Sequence, residues 1–595
     1  QPNYLPVVIR EISNLLQAAA NPKILNRPAV IKGRYAYPGG GDMVADLEWN
    51  PATKQVTVVG IAHRDDTAYS SFNVEDGLDL VKAHVEAGQR IIGHNIISAD
   101  LPVAGITPRT WGPDHVIDTL ILAHLIHAHL AESGLLDLGS LVRFYFPTTD
   151  WKHEKGDLLF YNGLDCAYNF KLWQQLKLEM DVTEQWHLVE KQQTLAHMSH
   201  LMHARGVRLD ADSLLAYARE RQAARLAEAH TFPINPNSPS QIIKWATSKH
   251  IYIADTTMDT LAKQQGRDPE FDRLIEYRQD IKNVKTWFPI EVAEKTKEIL
   301  SVGAMAHPEF HVTGTNVARF SCSDPNFQNI PPPLRRFIVP RDMDLELTAL
   351  DGSQIENRTV AWIASDPNML RAFESGADFH KLNARNIQSM LQGCELGMEE
   401  ITREQRQQGK TVTHATDYKE TPYNLARRLF GNVHHDSLSK ARALQEAFFR
   451  TYPGIRSWHK SLERKFESGD IQLRNPFGRV RFVYAPTAHE FAKRAAHFLG
   501  CSTAADIVNQ RAIWIWKELG GEIGDLALPI LIVHDELVYE FPKGEQGARL
   551  RKRAEEICNY GTECMNGFVV PFVPSVGSNY GKYSDSNPNG LKELE

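Results

Sequence analysis

Asp351 closes the apolar run Leu345–Leu350 and opens the segment Asp351-Gly-Ser-Gln-Ile-Glu356. Much later, the apolar stretch Ile530–Val533 leads into His534-Asp535-Glu536 and then Leu537-Val-Tyr-Glu-Phe541. An aspartate at a strand's end can project into a cleft and hold a cation. An acidic pair at the turn of an apolar hairpin is costly unless it is solvated or metal-bound. Taken singly, each segment fits an ordinary loop turn as well as a metal site. A second acidic set lies upstream. Asp46-Leu-Glu48 puts two carboxylates on one face of a strand, because side chains alternate with period two. Like charges that close are poorly tolerated unless a cation sits between them, although Asp-x-Glu by itself fits a solvated strand face. Asp100 follows His94-Asn95 where a strand gives way to a loop, and Tyr161 and Asp165, four residues apart, share one helix face.

The elements that must carry these residues alternate in kind. Asp42–Trp49 and Gln55–Ile61 read as paired strands, Leu78–Gly88 as a helix and Ile91–Asn95 as a buried strand, with Asp118-Thr119 opening another helix. This pattern, from about 35 to 176, predicts an α/β layer. From about 181 to 297 the period is helical, with amphipathic segments at Leu214–Ala229 and Glu270–Val284 separated by a Pro/Asn-rich break at 233–239. After Pro331-Pro-Pro333 a second α/β region is expected, with a strand at Leu345–Leu350, a hairpin at Ile530–Phe541 and helices between them.

A chain of 595 residues exceeds one typical domain, and 42% hydrophobic with 23% charged residues suits packed cores. No apolar run reaches the length of a membrane helix, and Gln1-Pro2-Asn3-Tyr4 has no secretory pattern. The absence of an initiator Met leaves processing, tag removal or excision from a longer precursor open. Six scattered cysteines without a CxxC pair argue against disulfides and structural zinc, and for a reducing, cytoplasmic setting. A net charge of −7 argues against a simple DNA-coating protein, but not against an enzyme that gathers carboxylates at metal sites and cations along a groove.

The order Asp46-x-Glu48, His94-Asn95-x4-Asp100, Tyr161-x3-Asp165 resembles the three motifs of DEDDy 3′→5′ proofreading exonucleases. Asp351 and His534-Asp535-Glu536 resemble motifs A and C of the family A (DNA polymerase I-like) DNA polymerases. Thr313-Gly314, Arg319-Phe-Ser321, Ser323-Asp-Pro-Asn326-Phe-Gln328-Asn-Ile-Pro331, Ser365-Asp-Pro-Asn368, Asp378-Phe-His380, Arg406-x3-Lys410-x7-Tyr418, Tyr452-Pro-Gly454, Gly478-Arg479-Val-Arg481 and Thr503-Ala-Ala-Asp506 follow in family order. Asn235, Ser238, Gln241 and Tyr277-Arg278 resemble the thumb region, so family-like sequence covers nearly the whole chain.

The resemblance implies an α/β and α+β multidomain fold: an RNase H-like exonuclease domain at 1–180, then a right-hand polymerase domain at 181–595. In the latter, the thumb is expected at about 190–300, the palm at about 301–372 and 485–595, and the fingers at about 373–484. It also implies template-directed addition of dNTPs to a primer by two-metal-ion chemistry, with Asp351 and Asp535 bridging two Mg²⁺ (Mn²⁺ substituting) and Glu536 beside them. Arg406, Lys410, Tyr418, His380 and His414 would face the nucleotide, and Glu356 would disfavour ribonucleotides. Arg319, Asn326, Gln328 and His534 would meet primer–template DNA, largely without regard to sequence. In the exonuclease, Asp46, Glu48, Asp100 and Asp165 would hold two ions and Tyr161 would position the attacking water. A monomer with no membrane association, served by a helicase or single-strand-binding protein, completes the expectation.

Several positions depart from the family. His414 stands where Phe or Tyr is usual, Lys419 replaces a Gly, and His497 and Cys501 stand for an Asn and a Gln; Gly352 follows Asp351, and residues are inserted between Gly314 and Arg319. Cys501 cannot donate and accept as an amide does. These departures suggest a phage or viral branch. No 5′-nuclease region is expected upstream, and the short thumb leaves little room for a processivity-factor insertion. Two alternatives stay open: a nuclease with a relic polymerase half, and a single-subunit RNA polymerase, in which Asp-Gly-Ser also occurs.

Overall fold

The computed structural model describes residues 27–35, 41–148, 151–153, 156–287 and 305–594. Gln1–Tyr4 and the helical expectation beyond Trp287 lie outside them. The first layer is a six-stranded sheet in the spatial order Ala29–Lys32, Thr67–Ser71, Val56–Ala62, Met43–Trp49, Ile91–Gly93, Val116–Asp118. Met43–Trp49, Val56–Ala62 and Thr67–Ser71 form an antiparallel meander, while Ile91–Gly93 and Val116–Asp118 run parallel to Met43–Trp49 and to each other. The strand at Ile91 ends two residues earlier than expected because Asn95 turns left-handed, with φ 61°. The helix expected at Leu78 begins at Val74, since Asn73 caps it by accepting from the Asp76 N–H.

The 26-residue helix Leu158–Thr183 packs across this sheet. Its close approach needs Gly60, because a Cβ there would lie 2.2 Å from Asn162 Oδ1. The helix runs through position 180 and stops at Glu184, whose φ is 54°. A second helix, Val189–Arg205, then carries the chain to the other layer.

That layer is a five-stranded antiparallel sheet in the order Leu531–Val533, Glu536–Pro542, Leu345–Gly352, Phe572–Gly577, Lys592–Glu593. One apolar core runs without interruption from the first sheet through Val189–Met202 to this one, so the two layers are not separately cored. A second core fills the helical region between about 360 and 501, and a small third one occupies 232–277. The 36-residue helix Ala488–Ile523 belongs to two cores: Phe491–Cys501 packs with the helical region, and Ala504–Leu519 packs under the second sheet.

Much of the family-like sequence fastens these parts. Asp506, fully buried, receives Arg479 Nη2 at 2.8 Å, Lys191 Nζ at 3.2 Å and Asn475 Nδ2 at 2.9 Å, tying the long helix to the Gln472–Phe482 hairpin and to Val189–Arg205. Asp366 caps the helix Pro367–Glu374 and also accepts from the Gly454 N–H at 2.7 Å, so the Ser-Asp-Pro-Asn and Tyr-Pro-Gly segments lock one another. In 232–277, Gln241 accepts from the Asn235 N–H and Tyr277 from Asn237 Nδ2, which sets the Pro/Asn-rich loop. The insertion after Gly314 is a brace: the Thr315 carbonyl bonds His124 Nε2, Asn316 accepts from Arg481, and Val317 enters the second core.

Candidate functional site

Leu345–Gly352 is the central strand of its sheet, and register pairs Asp351 with Glu536. His534 and Asp535 form the two-residue turn between Leu531–Val533 and Glu536–Pro542, with His534 exposed at φ 58°. The Asp535 carbonyl accepts from the Gly352 N–H at 3.1 Å, which fixes the turn against the end of the central strand. A Cβ on Gly352 would lie 3.3 Å from Phe572 and 3.4 Å from that carbonyl, so the smallest residue keeps the approach. Asp351 is exposed at its edge, but desolvation by the surrounding chain, and then the Asp535 charge, push its carboxyl up to about 6. Burial, and then Glu356, do the same for Asp535. Glu536, raised by burial, accepts a hydrogen bond from Tyr580. Crowded acids whose ionised forms are disfavoured fit a divalent cation, which would restore their charge.

The helix Arg403–Asp417 starts in a capping box, with Thr402 and Gln405 satisfying each other's backbone N–H groups. Arg406, Lys410 and His414 recur every four residues, so they share a face. Arg406 Nε is 2.7 Å from Asp378 Oδ2, Lys410 is exposed, and the His414 ring lies 6.0 Å from that of His380. Burial lowers both histidines, His380 to about 4. Tyr418 ends the helix and donates to Glu356 at 2.8 Å, and Arg319 pairs with the other oxygen of Glu356. Tyr418 also lies 3.5 Å from Cys501 Sγ and 5.4 Å, ring to ring, from His497. The two departures on the long helix therefore meet the tyrosine. Lys419 takes the left-handed conformation (φ 55°) and pairs with Glu463 at 3.0 Å.

Gln328 is anchored through its amide donors. Its amide nitrogen bonds the Phe320 and Ile532 carbonyls at 3.0 and 2.9 Å, so its donors hold the turn strand in place and only its oxygen is left to meet another molecule. Asn326 precedes the short turn Phe327–Asn329, with its side-chain oxygen buried and without a hydrogen-bond partner. The sequence reading missed Asp378 as the partner of Arg406, although Asp378-Phe-His380 contains it. It also missed Tyr580, for which no sequence signal exists.

The upstream acids also come together. Ligand oxygens of Asp46, Glu48 and Asp165 all lie within 4.8 Å of one another, on one strand and one helix. Asp100 approaches from the start of a short helix, accepts from the Leu47 N–H at 2.8 Å, and is pushed up to about 8 by burial. Burial, and then Asp165, Asp100 and Glu48, raise Asp46 well above the usual range. Three neighbours went unforeseen. Asn162 Nδ2 donates to Asp46 at 2.8 Å, Trp151 Nε1 to Asp165 at 2.6 Å, and Lys152 Nζ reaches both Asp165 oxygens. Tyr161 lies 3.3 Å from the same ammonium. His94 bonds Thr119, and Asp118 caps its helix and accepts from the Asn95 and Ile97 N–H groups, so both are structural. This donor set suits hard divalent cations.

The five-stranded sheet carries Asp351 and Asp535 where a strand end meets a turn, the helical region bears a basic face on Arg403–Asp417, and 232–277 forms a small helical lobe with its own core. A profile of DNA polymerase family A matches residues 214–580, and the chain belongs to that family. It is 30% identical over 444 residues to the thermostable DNA polymerase I of Thermus thermophilus, covering 68% of this chain and 50% of that protein. It is 28% identical over 421 residues to DNA polymerase I of Geobacillus stearothermophilus, covering 66% and 45%. The chain thus spans about half the length of the curated relatives it matches. In fold it is similar to the POL domain of Pol1 from M. smegmatis, solved in complex with DNA primer-template and dNTP, with TM-score 0.72, 21% identity, and 91% and 96% of the two chains covered. Among the described residues, no single helix is long and apolar enough to cross a membrane.

Proposed function

We propose that this chain is a DNA-directed DNA polymerase that extends primers with dNTPs and removes 3′-terminal nucleotides at a second site. The observation that carries the synthetic activity is the meeting of Asp351 and Asp535 at the end of the central strand, in a family A chain. Two Mg²⁺ ions held by these acids would activate the primer 3′-hydroxyl and neutralise the triphosphate. Lys410 and Arg406 present their charge to the phosphates; Arg406 must first loosen its bond to Asp378. Glu356, held by Arg319 and Tyr418, stands rigid where a 2′-hydroxyl would arrive. Asn326 brings an unsatisfied acceptor to the primer–template side.

The exonuclease reading is supported by the Asp46, Glu48 and Asp165 cluster with Asp100 beside it, on a sheet whose meander-then-parallel order is that of an RNase H-like layer. Divalent ions held there would supply the attacking hydroxide, and Tyr161 is placed to orient the water. The divisions at 180/181, 300/301, 372/373 and 484/485 belong to the same reading. So does its setting: a monomer of phage or viral origin in the host cytoplasm, working with a helicase or single-strand-binding protein.

The test is primer extension on a DNA template with Mg²⁺, offering dNTPs or rNTPs separately, alongside degradation of single-stranded DNA. Extension with dNTPs and removal of a mismatched 3′ end are expected. Efficient use of rNTPs with slow use of dNTPs overturns the sugar choice, and degradation without extension overturns the polymerase.

A further inference from the structure

We propose that Lys152 is the resting counter-cation of the N-terminal acid cluster, and that it competes with the divalent ion for Asp165 and so sets how much metal that site requires. The inference rests on the exonuclease reading and deepens it. Lys152 lies in the short turn Trp151–His153, against the first turns of the helix that carries Tyr161 and Asp165. Its ammonium is 2.8 Å from both carboxylate oxygens of Asp165 and 3.3 Å from the Tyr161 hydroxyl. It sits 5.0 Å from the Tyr161 ring centroid and 5.6 Å from that of Trp151. The Trp151 indole donates to the same Asp165, whose side chain is only 5% exposed.

This geometry covers both Asp165 oxygens with one positive charge, in a cluster whose other acids lie within 4.8 Å. A divalent ion bound to Asp165 carries charge of the same sign into the same small volume. Screening is weak at a buried carboxylate, so the two cations cannot both hold it at full strength. The Lys152 side chain is 27% exposed and on a flexible stem, so it has a way out towards solvent. The same contact gives Lys152 a second task, that of offsetting repulsion among the acids when no ion is bound. A lysine that only packed on Tyr161 would have no need to straddle both oxygens of a ligand carboxylate.

The experiment uses the full chain carrying Asp351→Asn and Asp535→Asn, so that metal binding reports on the upstream site, and follows Mn²⁺ by the electron paramagnetic resonance signal of the free ion. In that background Lys152→Gln is expected to bind Mn²⁺ about tenfold more tightly. It is also expected to melt at a lower temperature in EDTA, with the deficit closing as Mn²⁺ is added. Lys152→Arg, which keeps the charge, is expected to retain the weaker binding. Unchanged or weaker Mn²⁺ binding by Lys152→Gln overturns the proposal. Asp165→Asn serves as the control that removes the site. If the parent binds no Mn²⁺ there and the unaltered chain degrades no DNA, the exonuclease reading falls. If both are present and Lys152→Gln shifts nothing, only the role of Lys152 falls.

Discussion

The chain carries two acid centres that solve one electrostatic problem differently. Upstream, Asp46, Glu48 and Asp165 come from one strand and one helix and are steadied by Asn162, Trp151 and Lys152, so the crowd of carboxylates has a cation of its own. In the second sheet, Asp351 and Asp535 sit at a strand end and a turn, and both are pushed up to about 6 despite the charges of Lys582 and Arg319. The lysine does not relieve the whole upstream cluster, since burial still pushes Asp100 up to about 8 and raises Asp46 well above the usual range. The difference follows placement: the upstream acids lie on one packed layer that also brings Lys152 against them, whereas Asp351 is exposed at a strand end beside the Asp535 turn.

The largest expected effect separates the two centres by activity. Asp535→Ala should reduce primer extension by several orders of magnitude while leaving degradation of single strands intact, since a metal clamp supplies several kcal/mol of transition-state stabilisation. Asp46→Ala should do the reverse in the same two assays. Joint loss in either variant, with the fold intact by circular dichroism, breaks the comparison.

A smaller effect tests the frame that both share. Asp506→Asn should cost roughly 3–5 kcal/mol, because it leaves Arg479 and Lys191 as buried charges without their carboxylate. Denaturant unfolding measures this, and both activities should fall together on warming. The ion network holds Asp506 below the usual range. Its stabilisation is therefore complete above about pH 4 and is lost as pH falls through the depressed value.

Next comes the response to pH and metal. Raised values for Asp351 and Asp535 mean that the metal-free native chain keeps protons the unfolded chain has released. Between about pH 4 and about pH 6, these groups therefore lower stability as pH rises. The rise in melting temperature given by Mg²⁺ should be larger at about pH 7.5 than at about pH 5, because binding needs both acids ionised. Asp351→Asn should raise the melting temperature in EDTA at neutral pH and remove most of the Mg²⁺ response. The smallest effect is on sugar choice. Glu356→Ala should raise incorporation of rNTPs relative to dNTPs by about a hundredfold, within the range a shape-based pocket can discriminate, as read by competitive extension.

Residue type and spacing made the acids candidates that fitted an ordinary turn or a solvated strand face equally well; the order of the motifs and their family resemblance singled them out, while strand and helix periods are local and legible. The paired strands at Met43–Trp49 and Val56–Ala62, the helical turn that joins Tyr161 and Asp165, and the hairpin around Asp535 follow from the same local rules. Tertiary structure decided what those rules cannot reach. It gave the long helix Ala488–Ile523 to two cores, turned Gln328 inward to hold backbone, and brought Asp378 to Arg406. It also set Lys152 on Asp165 and Tyr580 on Glu536. Such partnerships depend on where separate elements cross, and a lone lysine or tyrosine in a sequence carries no sign of what it will touch.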